Sequence, residues 1–253
     1  MKACSPHMGV RSISDRCLSP AKGAGAFVLA LFCVLLIATM QRAGWLDGLN
    51  VGLMAACGRA RDTVLGGHIT TVMRLASAIG GTAGRLALLG VFLAPLAWFG
   101  RWRSALWLAL TIAFGTALNL VLKQIFAAPR PDLLPHLDIV HSYSFPSGHA
   151  AGNMMIFGAL AMLAGTRRAF AAAAAMIALI GVSRVWLGVH WPSDVSAGWI
   201  EGAGWLALCS IWLPSGRRKD EGARNAAMRG HPVAGDETVN PETVERGHRR
   251  DHR

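Results

Sequence analysis

The chain has 253 residues, of which 53% are hydrophobic and only 15% charged, with a formal net charge of +11. A soluble domain carries about 25% charged residues, so this composition argues for a bilayer and against a soluble globular fold. The positive charge is gathered at a few places along the chain, a distribution that speaks against nucleic-acid binding.

The first apolar run, residues 23–41, contains no charged side chain, and as a helix it is long enough to cross ~30 Å of hydrocarbon. It exceeds the ~7–15 residues of a signal-peptide core and no small-x-small cleavage site follows it, so it is read as a retained first span. Residues 42–84 are semi-apolar and predict interfacial helices around Leu46-Asp47-Gly48-Leu49 and Ile69-Thr70-Thr71-Val72-Met73. A second span covers residues 86–100 and extends N-terminally if Arg85 snorkels to the interface. Residues 104–122 form the third. A proline-rich connection, residues 123–148, carries Pro129, Pro131, Pro135 and Pro146. Residues 150–166, 169–183 and 195–216 supply three more spans, the last two joined by the tight link His190-Trp191-Pro192-Ser193-Asp194. The expected fold is all-α, an integral membrane bundle of six transmembrane helices.

Basic residues orient that bundle. Lys2, Arg11, Arg16 and Lys22 precede the first span; Arg101 and Arg103 follow the second; Arg167 and Arg168 follow the fourth; Arg217, Arg218 and Lys219 follow the sixth. All lie on one side of a six-span chain, which the positive-inside rule makes cytoplasmic, with both termini inside. Arg42, Arg59, Arg61 and Arg74 run against the rule. The expected division is a cytoplasmic tail over residues 1–22, a six-span domain over 23–215 and a disordered, charge-mixed cytoplasmic tail over 216–253. Cys4, Cys17, Cys33, Cys57 and Cys209 show no metal-like spacing, and no disulfide is expected.

Nearly every side chain able to do chemistry falls on the opposite, outer side. Lys123 ends the third span and Arg130 follows in the loop; Ser147, Gly148 and His149 open the fourth span; Ser183 and Arg184 end the fifth; His190 and Asp194 bracket the start of the sixth. Singly, each is equally a snorkelling or interhelical residue. Together they deliver three cations, two histidines and a carboxylate to one membrane face, where ionisable groups are costly and mark function. Three cations with Ser147 and the Gly148 amide at a helix start describe an oxyanion site, and a phosphoryl group in its transition state spreads charge over three oxygens. No Asp/Glu/His cluster for Mg²⁺ stands beside them. His190 and Asp194 are four residues apart. The carboxylate there either makes an ordinary helix-start hydrogen bond or accepts from Nδ1–H, leaving Nε2 free to attack phosphorus. His149 would then protonate the leaving alcohol.

Lys123-(six residues)-Arg130-Pro131, Pro146-Ser147-Gly148-His149 and Ser183-Arg184-(five)-His190-(three)-Asp194 resemble the tripartite signature of the type 2 phosphatidic acid phosphatase superfamily. That superfamily also holds vanadium-dependent haloperoxidases and bacterial acid phosphatases. The resemblance implies a helical bundle and metal-independent dephosphorylation through a phosphohistidine, with no cofactor. It assigns His190 as nucleophile, Asp194 as its orienter and His149 as general acid, with Lys123, Arg130, Ser147, Gly148 and Arg184 on the phosphate.

The expected function is therefore a phosphatase of the cytoplasmic or inner membrane, its site facing the periplasm or exterior. Expected substrates are lipid phosphates or pyrophosphates: phosphatidic acid, phosphatidylglycerol phosphate or polyprenyl pyrophosphate. A phosphotransferase using the same pocket, or a transporter or anion-binding membrane protein, are the alternatives. Glu201 lies outside the signature, about 10 Å deeper than Asp194 on the same helix, and reads either as an interhelical contact or as a headgroup residue.

Overall fold

The computed structural model describes residues 19–214, and all regular structure among them is helical. The helices are α1 (Pro20–Arg42), α2 (Asp47–Arg61), α3 (Val64–Gly80), α4 (Thr82–Trp98), α5 (Trp102–Phe126), α6 (Gly148–Ala164), α7 (Arg167–Trp186) and α8 (Pro192–Cys209), with a 3₁₀ turn at Ser210–Trp212. The boundaries follow from local chemistry. Thr63, Ser147 and Thr166 cap α3, α6 and α7 through their hydroxyls, each satisfying an N–H that the first turn leaves free. α6 ends at Gly165, whose φ of 65° is left-handed, and the chain turns straight into α7. Pro20 and Pro192 stand in the first turns of α1 and α8, where a missing N–H costs nothing.

Each of the six expected spans contains an α-helix, the last only as far as Cys209. By length and apolar composition, however, only α1, α5 and α7 qualify as spans, with a fourth if α3 and α4, bent by 58° at their junction, count as one. α6 is apolar but has 17 residues, and α8 carries Asp194 and Glu201 in its interior face. The expected interfacial segment holds α2 and α3, and α3 runs into α4 through the Gly80–Gly81 corner. The expected tails, apart from residues 19–22, lie outside the described residues.

The distribution of polarity is that of a membrane protein. Val28, Leu29, Phe32, Leu35 and Leu36 on α1, and Leu106, Leu110, Phe114, Leu120 and Val121 on α5, point outward. Asn119, Lys123, Asn153, Arg184, Asp194 and Glu201 are buried inside. A bilayer solvates the first set and would penalise the second.

α8 is the central helix, packed on α1, α5, α6 and α7. Its approach to α6 depends on Gly198 and Gly202. A Cβ at Gly198 would stand 2.6 Å from the Ser147 carbonyl oxygen, and one at Gly202 would stand 2.8 Å from that of Ala151. Small residues four apart let two helix backbones close up where lipid supplies no hydrophobic drive. Because Ser147 and Ala151 flank His149, this contact also sets the distance between the two halves of the site. α4 has no fully buried residue and forms a peripheral wall.

Candidate active site

Residues of α4, α5, α6 and α7, with Arg130, residues 139–142 and His190 of the α7–α8 link, line a cavity of about 360 Å³. His190, in the link between α7 and α8, is 2% exposed, so its ring is held entirely by protein. Asp194, one turn on, places Oδ2 3.3 Å from His190 Nδ1. The same oxygen accepts from the Ser144 hydroxyl at 2.5 Å and from the Trp191 N–H at 3.0 Å, and Oδ1 accepts from Gln41 at 3.2 Å. Three donors besides the imidazole thus anchor the carboxylate, and its remaining acceptor capacity selects the tautomer protonated on Nδ1. Nε2 consequently faces the cavity with its lone pair, 3.3 Å from an Arg130 nitrogen. Burial and the charges of Arg130, Lys123 and Arg184 push the His190 pKa well below the ordinary 6.5. The ring is neutral at physiological pH.

The cations are placed by backbone carbonyls. Lys123, at the end of α5, donates to the Tyr143 and Ser144 carbonyls at 2.5 and 3.3 Å. Arg130 donates to the Ser142 and Val189 carbonyls at 2.9 and 2.7 Å. Burial and the neighbouring Arg184 charge lower the Arg130 pKa to about 10, so it stays charged. Arg184 donates to Ser77 on α3 and to Asp138, with 2.5 Å to the carboxylate. Partial burial raises the Asp138 pKa. The Arg184 hydrogen bond and charge, the Ser77 hydroxyl and the Ile139 N–H outweigh it, holding the carboxyl below 3.8.

Six of the eight expected site residues line this cavity: Lys123, Arg130, Gly148, His149, Arg184 and His190. Asp194 lies behind His190. Ser147 is fully buried, its hydroxyl capping the Ala150 N–H at 3.4 Å and its own N–H donating to the Asp194 carbonyl at 3.0 Å. His149 lines the cavity against the Gly81 corner. Glu201 accepts from Asn119 at 2.8 Å and is 1% exposed, an interhelical contact beneath Lys123.

Four participants were not legible as such. Ser144 adjoins the Pro146-Ser147-Gly148-His149 motif, but nothing in its type marks a carboxylate partner. Asp138 and Ser77 reach Arg184 only through folding. Arg85, at the N-terminal edge of the second expected span, crosses to α6 and donates to the Gly148 carbonyl at 3.1 Å. Among the described residues no three His, Cys, Asp or Glu side chains converge as metal ligands.

A membrane helical bundle holding a cation-lined cavity with a carboxylate-anchored histidine defines a class of anion-handling membrane proteins. Comparison with known proteins makes the class specific: residues 104–218 match the PAP2 superfamily, and the matched stretch contains all three signature segments. The chain is 35% identical over 104 residues to phosphatidylglycerophosphatase B of Bacillus subtilis, covering 36% of this chain and 50% of that protein. It is 39% identical over 74 residues to undecaprenyl-diphosphatase of Sulfolobus acidocaldarius, covering 29% of this chain and 34% of that protein. The chain thus spans half the length of the first relative and about a third of the second. In fold it is similar to the crystal structure of a transmembrane PAP2-type phosphatidylglycerolphosphate phosphatase from Bacillus subtilis. The TM-score is 0.62 at 22% identity, over 81% of this chain and 98% of that one.

Proposed function

We propose that this protein is an integral membrane phosphatase that hydrolyses lipid phosphate monoesters or pyrophosphates through a phosphohistidine, without a metal. Phosphatidic acid, phosphatidylglycerol phosphate and polyprenyl pyrophosphate are the candidate substrates. One observation carries the reading: His190 is held by Asp194 on Nδ1 and faces a cavity of cations with Nε2.

Lys123, Arg130 and Arg184, with the Gly148 amide at the start of α6, neutralise the phosphoryl oxygens. The Nε2 lone pair forms the N–P bond as the P–O bond to the lipid breaks, and that electron pair goes to the leaving oxygen. His149 donates the proton that oxygen needs. Asp194 stabilises the charge developing on His190 through the Nδ1–H bond. Water, deprotonated by His149, then attacks the phosphohistidine, releasing inorganic phosphate and restoring both rings.

The domain is read as residues 23–215 with six spans, both termini and the tails 1–22 and 216–253 cytoplasmic, and the site on the outer face. Arg101, Arg103, Arg167 and Arg168 support this, because they lie at the helix ends opposite the site. In a cysteine-free background, a cysteine at His141 should react with an impermeant thiol reagent on intact spheroplasts and one at Gly165 should not. The reverse pattern would place the site inside.

The decisive assay is phosphate release from a panel of lipid phosphates and pyrophosphates by purified protein. Activity should persist in excess EDTA and be blocked by vanadate. Loss in EDTA with restoration by Mg²⁺ would overturn the mechanism.

A further inference from the structure

The cavity extends beyond the three cations of the signature. Its lining contains Arg85 from α4, and with Lys123, Arg130 and Arg184 that makes four cations and no carboxylate. Arg85 has one protein acceptor, the Gly148 carbonyl. Among the described residues the ion pairs are Arg184–Asp138 and His190–Asp194, so no carboxylate neutralises it. A half-buried guanidinium without a counter-ion, beside three other cations, is costly in the absence of an anion.

Its position specifies which part of a substrate it meets. In an in-line displacement the leaving oxygen departs opposite the nucleophile, that is, away from His190 and toward His149. Arg85 is bonded to the residue immediately before His149 and lies over Gly152, one turn further along α6. A Cβ at Gly152 would overlap the guanidinium, so a glycine there is what lets Arg85 reach the cavity.

We propose that Arg85 is a specificity-determining residue that binds a second phosphate on the leaving-group side, so that the site favours lipid diphosphates over lipid phosphate monoesters. The inference rests on the phosphatase reading above. His190 Nε2 bonds to the terminal phosphorus, the bridging P–O bond breaks, and its electron pair stays on the lipid monophosphate, which Arg85 holds as it departs. Water then cleaves the N–P bond, so diphosphate plus water becomes monophosphate plus inorganic phosphate. Such a leaving group is a weak base and needs Arg85 more than a proton from His149. An alkoxide has the opposite requirement.

Initial rates on farnesyl diphosphate and farnesyl monophosphate in the same detergent micelles test this. R85Q keeps a donor for the Gly148 carbonyl and deletes the charge. It should lower kcat/KM for the diphosphate roughly 10-fold to 100-fold, the range of one charge-assisted hydrogen bond, and change the monophosphate less than about 3-fold. G152A, which adds a good helix former but displaces the guanidinium, should shift selectivity the same way. Equal losses on both substrates would make Arg85 a pin between α4 and α6 and overturn the inference, as would unchanged selectivity in both variants. A wild-type protein inert on both substrates would overturn the phosphatase reading itself.

Discussion

The two histidines sit in contrasting surroundings. His190 is enclosed by α1, α8 and residues 127–147: Gln41, Ser144 and Trp191 all bond the carboxylate that fixes it, and Arg130 closes the open side. His149 stands where α6 meets the α3–α4 corner, beside Gly81, Arg85 and the Asp138–Arg184 pair. The first surroundings are held by bonds to one buried carboxylate. The second are assembled from a peripheral helix, a bent junction and a loop. A group that must attack in one orientation needs the first kind; one that must meet leaving groups of different size and charge is better served by the second. The His190 side should therefore tolerate no change, and the His149 side should change preference before it loses activity.

The largest effects belong to the His190 side. His190→Ala should abolish turnover and phosphoenzyme with every substrate. Asp194→Asn keeps the shape but favours the wrong tautomer, lowering kcat by roughly 10⁴-fold with little change in KM. Trapping of labelled phosphoenzyme in both variants is the measurement, and a phosphoenzyme in His190→Ala would remove it as nucleophile. Because its pKa lies well below 6.5 in the fold, the neutral ring persists as pH falls. The single-turnover rate on an aryl phosphate should stay level through pH 6.5, and a limb there would show an ordinary, exposed imidazole.

His149→Ala should lose ~10²–10⁴ on alkyl phosphates, and much less on a nitrophenyl phosphate whose leaving group needs no proton. If the good leaving group rescued His190→Ala instead, the two roles would be exchanged.

Asp138 occupies the Arg184 guanidinium that the proposed mechanism assigns to the phosphate. Asp138→Asn removes a negative charge from the anion site, so vanadate should bind tighter, by about 3–10-fold for one partly screened charge. Weaker vanadate binding would show that the carboxylate positions Arg184 for the anion. The pair also has a stability signature. Its folded pKa is depressed, so its contribution is present above the ordinary 3.8 and lost as pH falls through the lower folded value. The melting difference between wild type and Asp138→Asn should vanish only below that range.

The smallest effect is expected at Glu201. Glu201→Gln keeps an acceptor for Asn119, and kcat/KM should change less than about 3-fold. A loss beyond 10-fold on one headgroup alone would move Glu201 into substrate recognition.

Much of the His190 side was readable because its signals are local. Asp194 lies one turn from His190, Pro192 starts α8 between them, and charge-free runs marked α5, α6 and α7, which bring signature segments to one end of the bundle. Those patterns record what a backbone does over a few residues, and they determined the all-helical membrane fold, the cations and the two histidines. The contacts from afar left no such mark. Arg85 and Gly148 are 63 residues apart and Ser77 and Arg184 are 107 apart, so side-chain type alone could not pair them. The sequence reading counted six spans, whereas by length and apolar composition α6, at 17 residues, and α8, with Asp194 and Glu201 packed inward, fall short. Only the tertiary structure decided which buried polar groups satisfy one another and which, like Arg85, are left for an anion, because that balance depends on distances across helices and not on order along one.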